Sequence, residues 1–277
     1  MKEINMKSRS DGKQSRQCIH GRLVRPAVTV LLLGGFSIPV AAQAPALVGA
    51  AKFADSAARE IDRGTIEGDI KELRAARTLL DAALALHPND PILLHYKGFE
   101  AFREASQLYS GNRQSEIPVL MREAATDLAR SDSIRSMPES HALLASVLGS
   151  MIGADPSLGP TLGPDVQDHM NAAMTSGARN PRVWLLSGIS TIYTPAEYGG
   201  GLSKAQTQLE RAVELFTSDH PVPPAPSWGH AEAYAWLGQV LQKQGKSADA
   251  VVAYNRALAL EPNYAWVKYV LLPSVKR

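Results

Sequence analysis

The sequence predicts an all-α protein, a right-handed solenoid of about five helix pairs closed by a C-terminal capping helix. Three observations predict it. Beyond Ala46 the apolar residues recur at helical spacing, with no series of alternating Val, Ile or Thr runs that would mark strands. Gly and Pro turn signals cut the chain into pieces of helix length. Internal repeats about one helix pair long run through it, as expected of units that bury their apolar faces only against neighbours. A 277-residue chain that is 45% hydrophobic has enough apolar side chains for a core, which excludes wholly disordered and collagen-like classes.

Residues 1–25 are polar and basic, ending in Arg22-Leu23-Val24-Arg25, and lead into the apolar run Ala27 to Val40. With the small residues Val40-Ala41-Ala42 behind it, that order predicts a secretory signal peptide over 1–42 and a mature domain over 43–277. Pro45 disfavours a cut after Ala44. The run, at about 14 residues, falls short of the ~20 that cross a bilayer. Met6 serves as a start as well as Met1, and the expected location is periplasmic or secreted. Cys18, the one cysteine, lies in this segment, and Ser15-Arg16-Gln17 before it lacks the residues of a lipid attachment site. The mature chain is therefore expected to have no disulfide, thiolate nucleophile or cysteine-based metal site. Lys and Arg number 29 against 27 Asp and Glu, and residues 1–42 hold seven and two of them, which leaves a mature net charge of −3. That balance lacks the basic excess of a nucleic-acid binder.

The helix pairs are expected at 46–88, 89–134, 138–178, 179–220 and 227–261, with a cap at 263–273. In the first pair, Ala76-x3-Leu80-x2-Ala83 precedes Pro88, and LALHPN at 84–89 parallels LALEPN at 258–263. In the second, Gly98 falls where a small residue is needed at a helix crossing, although Lys97 takes the place of an expected leucine. The third and fourth echo each other with a period of 39: Gly149 with Gly188, Pro156 with Pro195, Val166 with Ala205, Met170 with Leu209, Ala173 with Ala212. Both are expected to carry the same insertion between their helices. The stretch His220 to Ser227 is proline-rich and reads as a stiff connector, with Trp228, Trp236 and Trp266 clustered around the last unit for core packing and cap closure.

The fifth pair is the clearest unit: Tyr234-x2-Leu237-Gly238-x2-Leu241, then Gly245, Ala250-x3-Tyr254-x2-Ala257 and Pro262. Gly238 and Ala250 are small where two antiparallel helices cross, Leu237 and Tyr254 fill the space between them, and Pro262 ends the second helix. Here the chain resembles the tetratricopeptide repeat (TPR), of an exported bacterial type, with Tyr234 where tryptophan is usual and Leu241 where tyrosine is usual. The resemblance implies that first helices of successive pairs line a concave, ligand-binding face and that the partner is a protein or peptide. The Lys, Asn and Arg clamp of the family's chaperone-tail binders is missing. In its place Ile92, His95, Phe99, Phe102, Arg182, Leu185, Ile189 and Ile192 are expected on the concave face, as an apolar groove for a peptide, a partner helix or an acyl chain. Tight superhelical curvature would instead bury them as core. The segment 195–205 resembles a loop in the TPR-like domain of the microtubule-dynamics regulator family, which implies partner or lipid binding.

No enzymatic chemistry is expected. The histidines at 87, 95, 141, 169, 220 and 230 give no HExxH pair and no compact ligand set, and Asp165 with His169 reads as a solvent-facing pair one helical turn apart. Beyond residue 42 there is no Gly-x-Ser-x-Gly elbow and no Ser-x-x-Lys. Gly199-Gly200-Gly201 lacks the Gly-Lys-Ser/Thr of a phosphate loop and reads as a wide turn. No catalytic residue, cofactor or metal ligand is assigned. The predicted function is an exported, non-enzymatic protein-interaction scaffold, with a lipid-binding or small-hydrophobic-ligand-binding helical protein as the alternative.

Overall fold

The computed structural model describes residues 40–109 and 111–275, so the basic segment and nearly all of the apolar run at 27–40 lie outside the described residues. All regular elements among the described residues are helical. They form α1 (Val40–Glu67) with α2 (Ile70–Leu86), α3 (Pro91–Leu108) with α4 (Ile117–Ile134), and α5 (Pro138–Ala154) with α6 (Gly159–Ser176). The array continues through α7 (Pro181–Tyr193) with α8 (Leu202–Phe216) and α9 (His230–Lys243) with α10 (Ser247–Leu260). A π-turn, Val267–Leu271, then leads into the short α11 (Leu272–Val275). No helix among the described residues is long and apolar enough to cross a membrane.

Local chemistry sets the helix starts. The Asp90 carboxylate accepts from the backbone N–H groups of Ile92 and Leu93 with Pro91 in the first turn, and Asn180 accepts from Arg182 N–H ahead of Pro181. Asp69 caps α2 in the same way through Lys71 N–H.

Glycine then lets the two helices of a pair approach closely. A Cβ on Gly98 would lie 2.6 Å from Leu128, one on Gly188 2.7 Å from Leu209, and one on Gly238 2.4 Å from the Tyr254 ring. Lys97 does not disturb the second pair, because its ammonium leaves the crossing and pairs with Asp81 on α2. The 39-residue echo carries into packing only in part. A Cβ on Gly149 would meet nothing within 4 Å, whereas Gly188 is in tight contact. The shared insertion also diverges after similar 3₁₀ turns at Pro156–Leu158 and Ala196–Tyr198. Residues 159–163 continue as the start of α6, while Gly199 and Gly201 take left-handed φ values of 81° and 132°. Between them a Cβ on Gly200 would fall 1.7 Å from the Thr194 carbonyl oxygen, so the three glycines are what this turn requires.

Successive first helices touch one another (α1 to α3, α3 to α5, α5 to α7, α7 to α9), whereas successive second helices make no comparable contact. The first helices thus form the short, inner side of the curve. The curl is tight. Arg103 on α3 bonds Glu232 on α9, Tyr96 Oη donates to the Pro224 carbonyl at 3.0 Å, and Trp228 stacks on Phe99 with ring centres 4.6 Å apart. At the far side Ile66, near the end of α1, shares an apolar cluster with Tyr264 and Val267. The C-terminal segment therefore covers the last pair and also meets the first. One consequence is that α3 is enclosed: from Leu93 to Ala105 every residue except Phe102 is buried.

Candidate functional site: the inner face

Burial of a whole helix that carries charge requires partners for that charge. Arg103 forms a two-point hydrogen bond to Glu232, Nη1 to Oε1 at 2.9 Å and Nη2 to Oε2 at 2.5 Å, and its guanidinium lies 4.7 Å from the centre of the Phe99 ring. Arg182, 2% exposed, donates to Asp219 at 2.7 Å and lies 5.5 Å from Phe216. His95 is held by Ser140 Oγ at 2.9 Å, and burial, followed by the nearby Arg182 and Arg135 charges, lowers its pKa to about 3. It is neutral at physiological pH.

Glu100 is fully buried between Arg77, at 3.0 Å, and Glu104. Burial raises its pKa to about 8 and the Glu104 carboxylate adds to the rise, while Arg77 opposes it. The folded state thus holds a proton that the unfolded chain, with an ordinary glutamate, gives up near pH 4.5. Stability from this group is present below the unfolded pKa and is lost as pH rises through the folded one. Between pH ~6.5 and ~8, denaturation midpoints should fall with pH, by at most about 1.4 kcal/mol per unit. Glu100→Gln should flatten that slope; a parent protein equally stable across the window would contradict the assignment.

Four of the eight residues expected to line an open groove are core instead: His95, Phe99, Arg182 and Leu185 are each at most 2% exposed. The reason is the curl, which places Trp228 and the segment before α9 over them. Ile92, Phe102, Ile189 and Ile192 are partly buried and packed against the same core. What stays open is a strip further along the inner side. Tyr193, at the end of α7, is 65% exposed and meets Trp236 of α9 edge-on at 6.2 Å; Trp236 in turn lies 5.0 Å from Trp266. Ile189 and Ile192 extend this strip along α7. Tyr193 carried no sequence signal, because only the curl decides which first-helix residues stay uncovered.

A second grouping also went unread. His141 and His169, expected to belong to no compact ligand set, converge with Asp132 from α5, α6 and α4, with ligand atoms within 4.8 Å of one another. Asp165, the expected helical partner of His169, is not among them.

The tetratricopeptide repeat pattern matches residues 231–264, the unit built around Gly238 and Tyr254. Two solved structures share the fold. The HusA haemophore from Porphyromonas gingivalis is 22% identical, with a TM-score of 0.56 over 69% of this chain and 94% of that one. TTC0263, a thermophilic TPR protein of Thermus thermophilus, is 16% identical, with a TM-score of 0.56 over 79% and 98%. No curated protein matches the chain. Fold and repeat together define the class: an all-α solenoid of consecutive helix pairs, one of which, at 231–264, carries the TPR pattern. At these identities the likeness is one of fold and carries no ligand with it.

Proposed function

We propose that this protein is an exported, non-enzymatic scaffold of the cell envelope that holds a protein partner on the strip formed by Ile189, Ile192, Tyr193, Trp236 and Trp266. The TPR-type array supports protein interaction as the role, and the expected signal peptide over 1–42 supports a periplasmic or secreted location. The observation that carries the docking site is the exposed Tyr193 ring at the head of a three-ring ladder, on an inner side that is otherwise filled. Rigid aromatic rings next to aliphatic side chains suit the apolar face of a peptide or helix. The second reading is a lipid or other small hydrophobic ligand. The same ladder favours it, since an acyl chain or a flat hydrophobic molecule also packs on aromatic rings.

One experiment addresses both location and ligand: purification of the untagged protein from the cell envelope, followed by native mass spectrometry. The chain mass is expected to correspond to a start at Gln43, and a polypeptide is expected to co-purify. A bound mass of several hundred daltons would support the second reading. Tyr193→Ala should cut partner recovery by about fivefold or more, the loss typical of an interface aromatic, with little change in melting because the ring is exposed. Full recovery by this variant would remove the strip as the docking site.

A further inference from the structure

We propose that His141 and His169 bind a divalent transition metal ion of the zinc class through their Nδ1 atoms, with Asp132 as the residue that positions His141. The three side chains come from consecutive helices and are half-buried; those of His141 and Asp132 are 12% and 18% exposed. The two Nδ1 atoms face each other at 3.0 Å. On the other edge of the His141 ring, Nε2 lies 2.9 Å from Ser136 Oγ and 3.0 Å from Asp132 Oδ1.

The proton inventory leads to the metal. A neutral His141 has one ring N–H. Placing it on Nδ1 would turn the Nε2 lone pair toward the Asp132 carboxylate, which is repulsive. The N–H therefore sits on Nε2, and the Nδ1 lone pair points at His169. If His169 likewise carries its proton on Nε2, two lone pairs converge on one point, and a cation bound there replaces the single proton that otherwise has to bridge them. Zinc–imidazole bonds of about 2.0–2.1 Å at a tetrahedral angle separate two nitrogens by about 3.3–3.4 Å. The pair needs to open by only a few tenths of an ångström.

Asp132 then has the role of the carboxylate behind a metal-bound histidine, fixing its tautomer and raising its basicity. Its Oδ1 is buried 3.0 Å from His141 Nε2 without an ideally aligned bond, so the carboxylate gains from positive charge placed on that imidazole by a bound cation. Two imidazoles without a thiolate suit zinc, nickel or copper and not calcium or magnesium. Water completes the coordination.

The test is titration of the untagged, chelator-treated full chain with zinc chloride, followed by calorimetry. Saturable binding of a single equivalent is expected, with no response to magnesium. His169→Ala should weaken it by at least a hundredfold, and Asp132→Asn by about 10–100-fold. His220→Ala, at an exposed histidine on a different part of the chain, should leave it unchanged. Circular dichroism of each metal-free variant checks folding, and His169→Gln replaces the alanine variant if that one fails to fold. No saturable binding up to about millimolar zinc would overturn the proposal, as would binding that survives the loss of either His141 or His169.

Discussion

Glu232→Leu should destabilise the fold by about 3–5 kcal/mol, the cost of leaving a buried guanidinium without its carboxylate. Arg103 and Glu232 are 8% and 7% exposed, and they join helices α3 and α9 across 129 positions of sequence. The guanidinium has no alternative solvent shell, since Phe99 lies 4.7 Å below it and Trp228 5.6 Å away. The Asp62 carboxylate and the Tyr264 hydroxyl also favour the charged guanidinium, but neither bonds it as Glu232 does. Arg103→Met alone should cost a similar amount by stranding the carboxylate. The double variant Arg103→Met/Glu232→Leu should recover most of the loss, because apolar side chains of similar volume fill the site without the desolvation penalty. Urea denaturation of the four proteins measures the coupling. Single changes that each cost below about 1 kcal/mol, the range of exposed pairs, would show that this link is not buried.

Gly238→Leu is the second large expected effect, a loss of about 3 kcal/mol or more. The Cβ alone would stand 2.4 Å from the Tyr254 ring, which is fully buried and anchored by its hydroxyl, donating to Gln242 at 2.9 Å. A leucine there forces α9 and α10 apart at their crossing, and overpacking of that kind displaces backbone. For a chain of this size each kcal/mol lowers the melting temperature by roughly 2–4 °C, so a drop of roughly 6–12 °C is expected. Gly149→Ala provides the contrast. Its Cβ meets nothing within 4 Å, and alanine in a helix interior is favoured over glycine by about 0.5–1 kcal/mol, so melting should hold or rise. Equal losses at both positions would mean that the two glycines do not differ in packing as described.

The echoing glycines also mark how far the sequence could be read. Gly149 and Gly188 occupy equivalent places in the 39-residue echo, yet only Gly188 is pressed against its partner helix. Likewise Phe99 and Ile189 were both expected on an inner face, but Phe99 is sealed beneath Trp228 and Ile189 borders the open strip.

The sequence by itself determined the helices, their pairing and the repeat that runs from Ala231 to Pro262. Those features rest on interactions within a few residues: carboxylate and amide caps at Asp69, Asp90 and Asn180, prolines in first turns, and one apolar stripe per helix. Only the tertiary structure decided how tightly the array curls. Curvature is the sum of small rotations between successive pairs, each set by the volumes of side chains from separate helices, so no periodicity in the chain encodes it. That curl encloses α3, turns an expected groove into core and leaves Tyr193 open. Packing of α5 on α6 likewise sets His141 beside His169, 28 positions away, because the approach of two side chains depends on how their helices cross and not on the spacing of their letters.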